Sequence, residues 1–156
     1  MQILQVVGFK DSGKTTLTLE FLKILKDHGK TVAVIKNHHL DEAVKEDTDT
    51  GKYHAVGSDY TVLNMPSYTM TYNQASRDLS HLIEKFKTED VDFVLAEGFK
   101  AEDYPKILLT YSFKSGETDI GEIGLKHVLK TFDLRYDKDS ALTWFKEWSQ
   151  CQNENV

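Results

Sequence analysis

An α/β fold is predicted from the amino-acid sequence: a mostly parallel sheet with helices on both faces and an antiparallel edge extension. Three observations predict it. Short apolar runs alternate with longer amphipathic segments along the whole chain. The runs are rich in β-branched residues, as strands buried on both faces are. A glycine-containing loop joins the first run directly to the first amphipathic segment. At 156 residues the chain has the usual size of one domain, so residues 1–148 read as a single domain and residues 149–156 as a flexible tail.

The elements follow in order. Ile3 to Val7 is a short buried strand. Thr15 to His28 is a helix, because Leu17, Phe21, Ile24 and Leu25 recur at helical spacing, and Gly29 ends it. Thr31 to Ile35 is a β-branched strand, and Lys36 to Thr50 is a long polar loop. A short helix is expected over Asp49 to Gly57 and a strand over Tyr60 to Asn64. Pro66 then interrupts, and the alternating Tyr68 to Tyr72 reads as an edge strand. Ser76 to Lys87 is helical, with Leu79, Leu82, Ile83 and Phe86 on one face. Val91 to Ala96, Ile107 to Tyr111 and His127 to Phe132 read as further strands, with Thr110 to Gly124 a polar, turn-rich stretch. Ser140 to Trp148 closes the fold as a helix carrying Ala141, Leu142, Phe145 and Trp148.

Composition narrows the function. The formal net charge is −6, whereas a general nucleic-acid binder needs a basic excess to neutralise phosphates, so no nucleic acid is expected. The single cysteine, Cys151, makes neither an internal disulfide nor a multi-thiolate zinc site. No apolar run approaches the ~18 residues of a membrane span, and the N-terminus lacks a basic n-region. A cytoplasmic protein without membrane contact is the expectation.

The chemistry is carried by Gly8-Phe9-Lys10-Asp11-Ser12-Gly13-Lys14-Thr15, which matches G-x-x-x-x-G-K-[ST] at every fixed position. It follows a strand and opens a helix, as a phosphate-binding loop must. The glycines are expected to allow backbone angles that side chains forbid, so that successive N–H groups turn toward phosphate oxygens. The helix adds its positive end, Lys14 a point charge, and the Thr15 hydroxyl a ligand for Mg²⁺. The three-layer architecture is thereby that of a P-loop NTPase, and the domain a nucleotide-binding one. Gly8, Lys10, Asp11, Ser12, Gly13, Lys14, Thr15 and Thr16 are the candidate phosphate-binding residues.

A second element is expected at the end of another parallel strand, facing the same crevice. Val91 to Ala96 ends in Glu97-Gly98-Phe99-Lys100, and Glu97 is the candidate for holding Mg²⁺ or its water. Lys14 and Glu97 are the candidate catalytic pair. The loop after the second strand offers Lys36, Asn37, His38, His39, Asp41, Asp47 and Asp49. Its spacing does not resemble a zinc site, so Asp49 is read as a further Mg²⁺ candidate, with Thr15 and Glu97. Lys10, Lys14, Lys36, Lys100 and Lys106 are expected in loops at one end of the sheet, making a basic pocket on an acidic protein. The two arginines, Arg77 and Arg135, do not fall in a phosphate-facing loop, which predicts slow hydrolysis. No N-K-x-D motif chooses GTP over ATP, and an ATP-dependent small-molecule kinase or ligase stays open, as does a pure interaction module.

Taken together, Val7 to Leu17, Val34-Ile35-Lys36 with His39, Asp49 eight residues before Gly57, Leu95 to Lys100 and Pro105-Lys106-Ile107 resemble the molybdopterin-guanine dinucleotide biosynthesis protein B (MobB) family. The pieces fall in family order over residues 1 to 110, and the Glu-Gly-Phe-Lys strand end is the most specific of them. The resemblance implies a homodimer that binds GTP with Mg²⁺ and hydrolyses it weakly. It also implies a role beside the nucleotidyltransferase, the molybdopterin guanylyltransferase, that attaches guanosine monophosphate to molybdopterin. By resemblance, Gly13 to Thr16 hold phosphates, Asp49 and Glu97 face Mg²⁺, and Lys36, His39, Gly98 and Lys100 line a crevice for nucleotide or the molybdopterin-type cofactor. Asn37 departs from a histidine frequent in the family. The segment ending Lys130-Thr131-Phe132-Asp133 departs from a Ser-Asp strand end near the base.

Overall fold

A computed structural model describes residues 1–38, 47–75, 77–114 and 124–151. They divide into two compact units, Met1–Asn37 with Ile83–Val156, and His38–Leu82. His39, Asp41 and the glycines Gly116 and Gly121 lie outside the described residues.

The first unit is built on a five-stranded parallel sheet. Its strands are β1 (Gln2–Gly8), β2 (Val32–Lys36), β5 (Phe93–Glu97), β6 (Lys106–Leu109) and β7 (Val128–Phe132), in the order β2-β5-β1-β6-β7. Both faces of the central strands are covered. Leu4, Val6, Leu95, Ile107 and Leu109 on one face are as fully buried as Val7, Val94 and Ala96 on the other. Helices α1 (Lys14–Asp27) and α4 (Lys138–Cys151) share the first face. There Phe21 and Phe145 stack with centroids 3.9 Å apart and planes 8° from parallel. Helix α1 ends as its sequence predicts: the N–H of Lys30 bonds to Leu25 and that of Gly29 to Lys26, closing a Schellman turn. Helix α4 runs through Cys151, beyond the expected end at Trp148.

The sheet is staggered. β5 pairs with Gln2 to Val6 of β1, whereas β6 pairs with Gln5 to Gly8. Strand β6 therefore begins almost level with the end of β5, and the connection 98–105 makes the parallel crossover without a helix. Strand β1 is the switch point of the fold: its own loop leads through α1 to β2 on one side, and β6 joins it on the other. Ligands of open α/β sheets bind beyond the carboxyl ends of strands at such a point.

In the second unit, α2 (Asp49–Ala55) is capped by Thr48, whose hydroxyl accepts from the Gly51 N–H at 3.0 Å. Strands β3 (Tyr60–Asn64) and β4 (Thr69–Asn73) pair antiparallel, Tyr60 opposite Asn73 and Asn64 opposite Thr69. They form their own two-stranded sheet and leave Tyr60, Val62, Tyr68 and Met70 exposed. Helix α3 (Leu79–Lys87) starts later than its periodicity suggests, because the Asp78 carboxylate takes the N-cap and accepts the His81 N–H at 2.8 Å.

Candidate functional site

The loop after β1 is shaped by two glycines for two different reasons. Gly13 is the N-cap of α1 with φ 88°, in the left-handed region. Gly8 has no such angle. A Cβ there would lie 2.7 Å from the Leu109 carbonyl oxygen and 2.7 Å from Ser12 Oγ. The expectation that both glycines serve backbone angles is thus corrected for Gly8, which is required by the close approach of β6. Between them Asp11 takes φ 58°, and Ser12 is buried with no partner for its hydroxyl among the described residues. Helix α1 has no side-chain cap and no acidic residue in its first turn, which leaves its N-terminal dipole uncompensated from within the helix.

The Lys14 ammonium donates to the carbonyl oxygens of Phe9 and, at 3.5 Å, of Gly8. Burial lowers its pKa, and the neighbouring Lys100 and Lys36 lower it further, against the pull of Glu97 and Asp11. Lys100 lies over the Phe9 ring at 5.5 Å. Thr16 is exposed on the first turn of α1 beside Thr15, and Lys10 is exposed on the loop.

Beyond β5, three side chains meet. Lys36 and Glu97 are register partners on β2 and β5, so the two-residue period of the strands turns both toward the face that α1 covers. The Thr15 hydroxyl donates to both carboxylate oxygens of Glu97 at 2.9 Å. Lys36 Nζ stands 3.3 Å from Thr15 Oγ1 and 3.5 Å from Glu97 Oε1. Glu97 is buried. Gly98, with φ 93°, turns the chain away, and its N–H bonds to the Val6 carbonyl. The buried Gln5 side chain holds this exit by donating to the carbonyls of Gly98 at 3.2 Å and Phe99 at 2.8 Å. Thr15 and Glu97 are hard oxygen donors of the kind Mg²⁺ takes alongside phosphate oxygens and water. Asp49 belongs to the second unit, where it is exposed and paired with Lys52 at 3.3 Å.

One sequence expectation changes here. Lys106 is not a pocket lysine. It opens β6, is fully buried, and donates to the carbonyls of Glu102 at 2.6 Å and Lys126 at 2.7 Å. Because β6 starts beneath the crossover 98–105, its ammonium ties that connection down. Arg135 follows β7. Its neighbour Leu134 would meet a Cβ on Gly13 at 2.7 Å, and its guanidinium sits 3.4 Å over the Tyr111 ring while Nε donates to both oxygens of Asp133.

The other flank of the loop is formed by residues the sequence reading passed over as polar turn. Ser112 Oγ donates to the Lys10 carbonyl at 2.8 Å, the Phe113 N–H donates to Asp11 O at 3.1 Å, and Lys114 pairs with Asp11 at 3.3 Å. The signal that could have found them is positional: they follow the carboxyl end of a strand adjacent to β1.

A parallel sheet whose central strand ends in this loop, at the N-terminus of an uncapped helix, defines a P-loop α/β protein. Within that class the chain belongs to the family described as molybdopterin guanine dinucleotide synthesis protein B (MobB), whose family model matches residues 3–140. A Bacillus subtilis protein named "probable molybdopterin-guanine dinucleotide biosynthesis adapter protein" is 36% identical over 110 residues, which make up 69% of this chain and 64% of that protein. The Escherichia coli molybdopterin-guanine dinucleotide biosynthesis adapter protein is 30% identical over 169 residues, covering 97% and 95%. The chain spans less than two thirds of the Bacillus subtilis relative, and also of a Haemophilus influenzae one, where the share is 62%. The crystal structure of a MobB homologue from Bacillus stearothermophilus shares the fold, with a TM-score of 0.73 at 23% identity over 97% of this chain and 99% of the other. That of Bacillus subtilis MobB gives 0.63 at 27% identity, over 92% and 97%.

Proposed function

We propose that this chain binds GTP with Mg²⁺ at the loop 8–16, hydrolyses it slowly, and acts as a nucleotide-dependent adapter in molybdopterin guanine dinucleotide assembly. The observation that carries the reading is the Thr15–Glu97 pair at 2.9 Å, set against a complete G-x-x-x-x-G-K-T loop. The backbone of Gly8 to Gly13 and the N–H groups of Lys14, Thr15 and Thr16 cradle the phosphates, with Lys10, Asp11 and Ser12 shaping the loop. Lys14 leaves the Phe9 and Gly8 carbonyls to carry charge opposite the terminal phosphates. Thr15 and Glu97 hold Mg²⁺. A bound magnesium ion neutralises charge on the phosphate oxygens. Lys36, Gly98 and Lys100 line the crevice.

Slow turnover follows from the arginines. Arg135 is engaged by Asp133 and Tyr111, and Arg77 is exposed in the second unit, so no arginine is assigned to the transferring phosphate. The adapter role rests on the names of the relatives. A molybdopterin guanylyltransferase is the expected partner, and a molybdopterin-type cofactor its cargo. The exposed Tyr68 and Met70 of the hairpin are the proposed homodimer contact. A cytoplasmic location fits this chemistry.

The test is a titration with fluorescent GTP and ATP, with and without Mg²⁺, for the protein and for Glu97→Gln. The reading expects Mg²⁺-dependent binding that prefers GTP, and a Glu97→Gln protein that loses more of its Mg²⁺ dependence than of its nucleotide affinity. Preference for ATP with phosphate transfer to a small molecule would establish the kinase reading instead. Absence of nucleotide binding would leave an interaction module.

A further inference from the structure

Glu97 is a buried carboxylate, 7% exposed, and a buried charge requires a counter-charge. Among the lysines around the loop, Lys14 is bonded to the Phe9 and Gly8 carbonyls and Lys100 lies over Phe9. Among the described residues the ammonium in ion-pair contact with Glu97 is that of Lys36, which also bonds to Thr15 Oγ1. Lys36 thus touches the same two groups, one hydroxyl and one carboxylate, that the proposed function assigns to magnesium. The Thr15 proton is committed to Glu97, so the hydroxyl presents only lone pairs to cations, and Lys36 uses one of them. Two cations on these oxygens repel each other. The Lys36 side chain is 52% exposed, on a flexible four-carbon stem, and is therefore displaceable into solvent.

We infer that Lys36 is a tethered cation that competes with the divalent metal for Thr15 and Glu97. It sets the Mg²⁺ concentration the site requires and supports binding of the magnesium-free nucleoside triphosphate. The inference rests on the proposed nucleotide site and adds to it a residue that governs metal dependence. Strand register explains the placement. Lys36 faces Glu97 because β2 pairs with β5 one strand away from the loop, so Lys36 belongs to the metal side of the site and not to the base or the cargo.

The experiment measures affinity for a fluorescent, non-hydrolysable GTP analogue as Mg²⁺ is raised from an EDTA-treated state to saturation. It uses the full chain, Lys36→Gln and Lys36→Arg, with thermal melting as the check that each variant folds. In Lys36→Gln the Mg²⁺ midpoint falls about fivefold and metal-free affinity weakens about fivefold, the factor expected of a half-exposed ion pair. In Lys36→Arg, whose fork can bond a carboxylate at two points, the midpoint rises. An unchanged midpoint in both variants overturns the inference. So does a Lys36→Gln protein that loses metal-free affinity at constant midpoint, since Lys36 would then be a simple phosphate contact. If the unmodified chain binds no nucleotide at any Mg²⁺ concentration, the proposed function falls and takes this inference with it.

Discussion

The two flanks of the phosphate loop are built from different materials. On the β2–β5 side, ionised side chains stand at strand ends, Lys36 and Glu97, with the Thr15 hydroxyl of α1 across from them. On the β6–β7 side, backbone and packing dominate: the Lys10 and Asp11 carbonyls are held by Ser112 and Phe113, and Leu109 and Leu134 press on Gly8 and Gly13. The division separates two tasks. On the proposed function, one flank meets charge that arrives with a ligand and can rearrange, because its cations are long and partly exposed. The other fixes the path of the loop and has little to rearrange. Substitutions on the first flank should therefore alter binding with little effect on folding, and those on the second should do the reverse.

The sharpest break is expected from Lys14→Ala. Removing the ammonium should weaken GTP binding about 100-fold, near the upper end for a hydrogen-bonded charge, while the melting temperature in the absence of nucleotide stays close to that of the unmodified protein. Isothermal titration and thermal melting of the same samples check both halves. Gly8→Ala is the counterpart on the second flank. Its Cβ meets a backbone oxygen that cannot swing away, and the overpacking should cost about 2 kcal/mol of stability, read by denaturant unfolding. Ser112→Ala should cost about 1 kcal/mol by the same assay, since it removes one hydrogen bond to a loop carbonyl.

The smallest effect near neutrality is that of pH on the charged flank. The pKa of Lys14 in the folded protein is lowered from 10.5, so between that lowered value and 10.5 the unfolded chain binds more protons, and this lysine makes nucleotide-free stability rise with pH. GTP affinity moves oppositely, because the neutral amine that becomes populated gives no charge to the phosphates. Parallel melting and binding curves from neutral to alkaline pH should diverge, and Lys14→Ala should remove the divergence.

The same two flanks differ in how far they could be read from the chain. The strand–loop–helix context singles out Gly8 to Thr15 as candidates, and a carboxylate closing an apolar run singles out Glu97, since both are local patterns. Lys36 enters the sequence reading only as a crevice candidate by resemblance, and its contact with Glu97 depends on strand order: β5 inserts between β1 and β2, a non-local fact that no periodicity encodes. Ser112, Phe113 and Leu134 were illegible for the same reason, because β6 and β7 bring their following residues to the loop from far along the chain. The sequence places Lys106 in a loop because the strand reads from Ile107, whereas β6 begins at Lys106. The stagger of β6 buries it instead, with carbonyls to satisfy its ammonium. The need for glycine at position 8 has a different cause from the one the motif suggests, since the neighbour that forbids a side chain there is on β6.

The most direct test of the central claim is a crystal structure of the protein with Mg²⁺ and a non-hydrolysable GTP analogue. Triphosphate is expected within the loop 8–16, with Mg²⁺ on the Thr15 hydroxyl beside Glu97 and Lys14 moved from the Phe9 carbonyl to the phosphates. A triphosphate bound away from the loop, or one bound within it while Lys14 stays on Phe9 and the metal avoids Thr15, would contradict it.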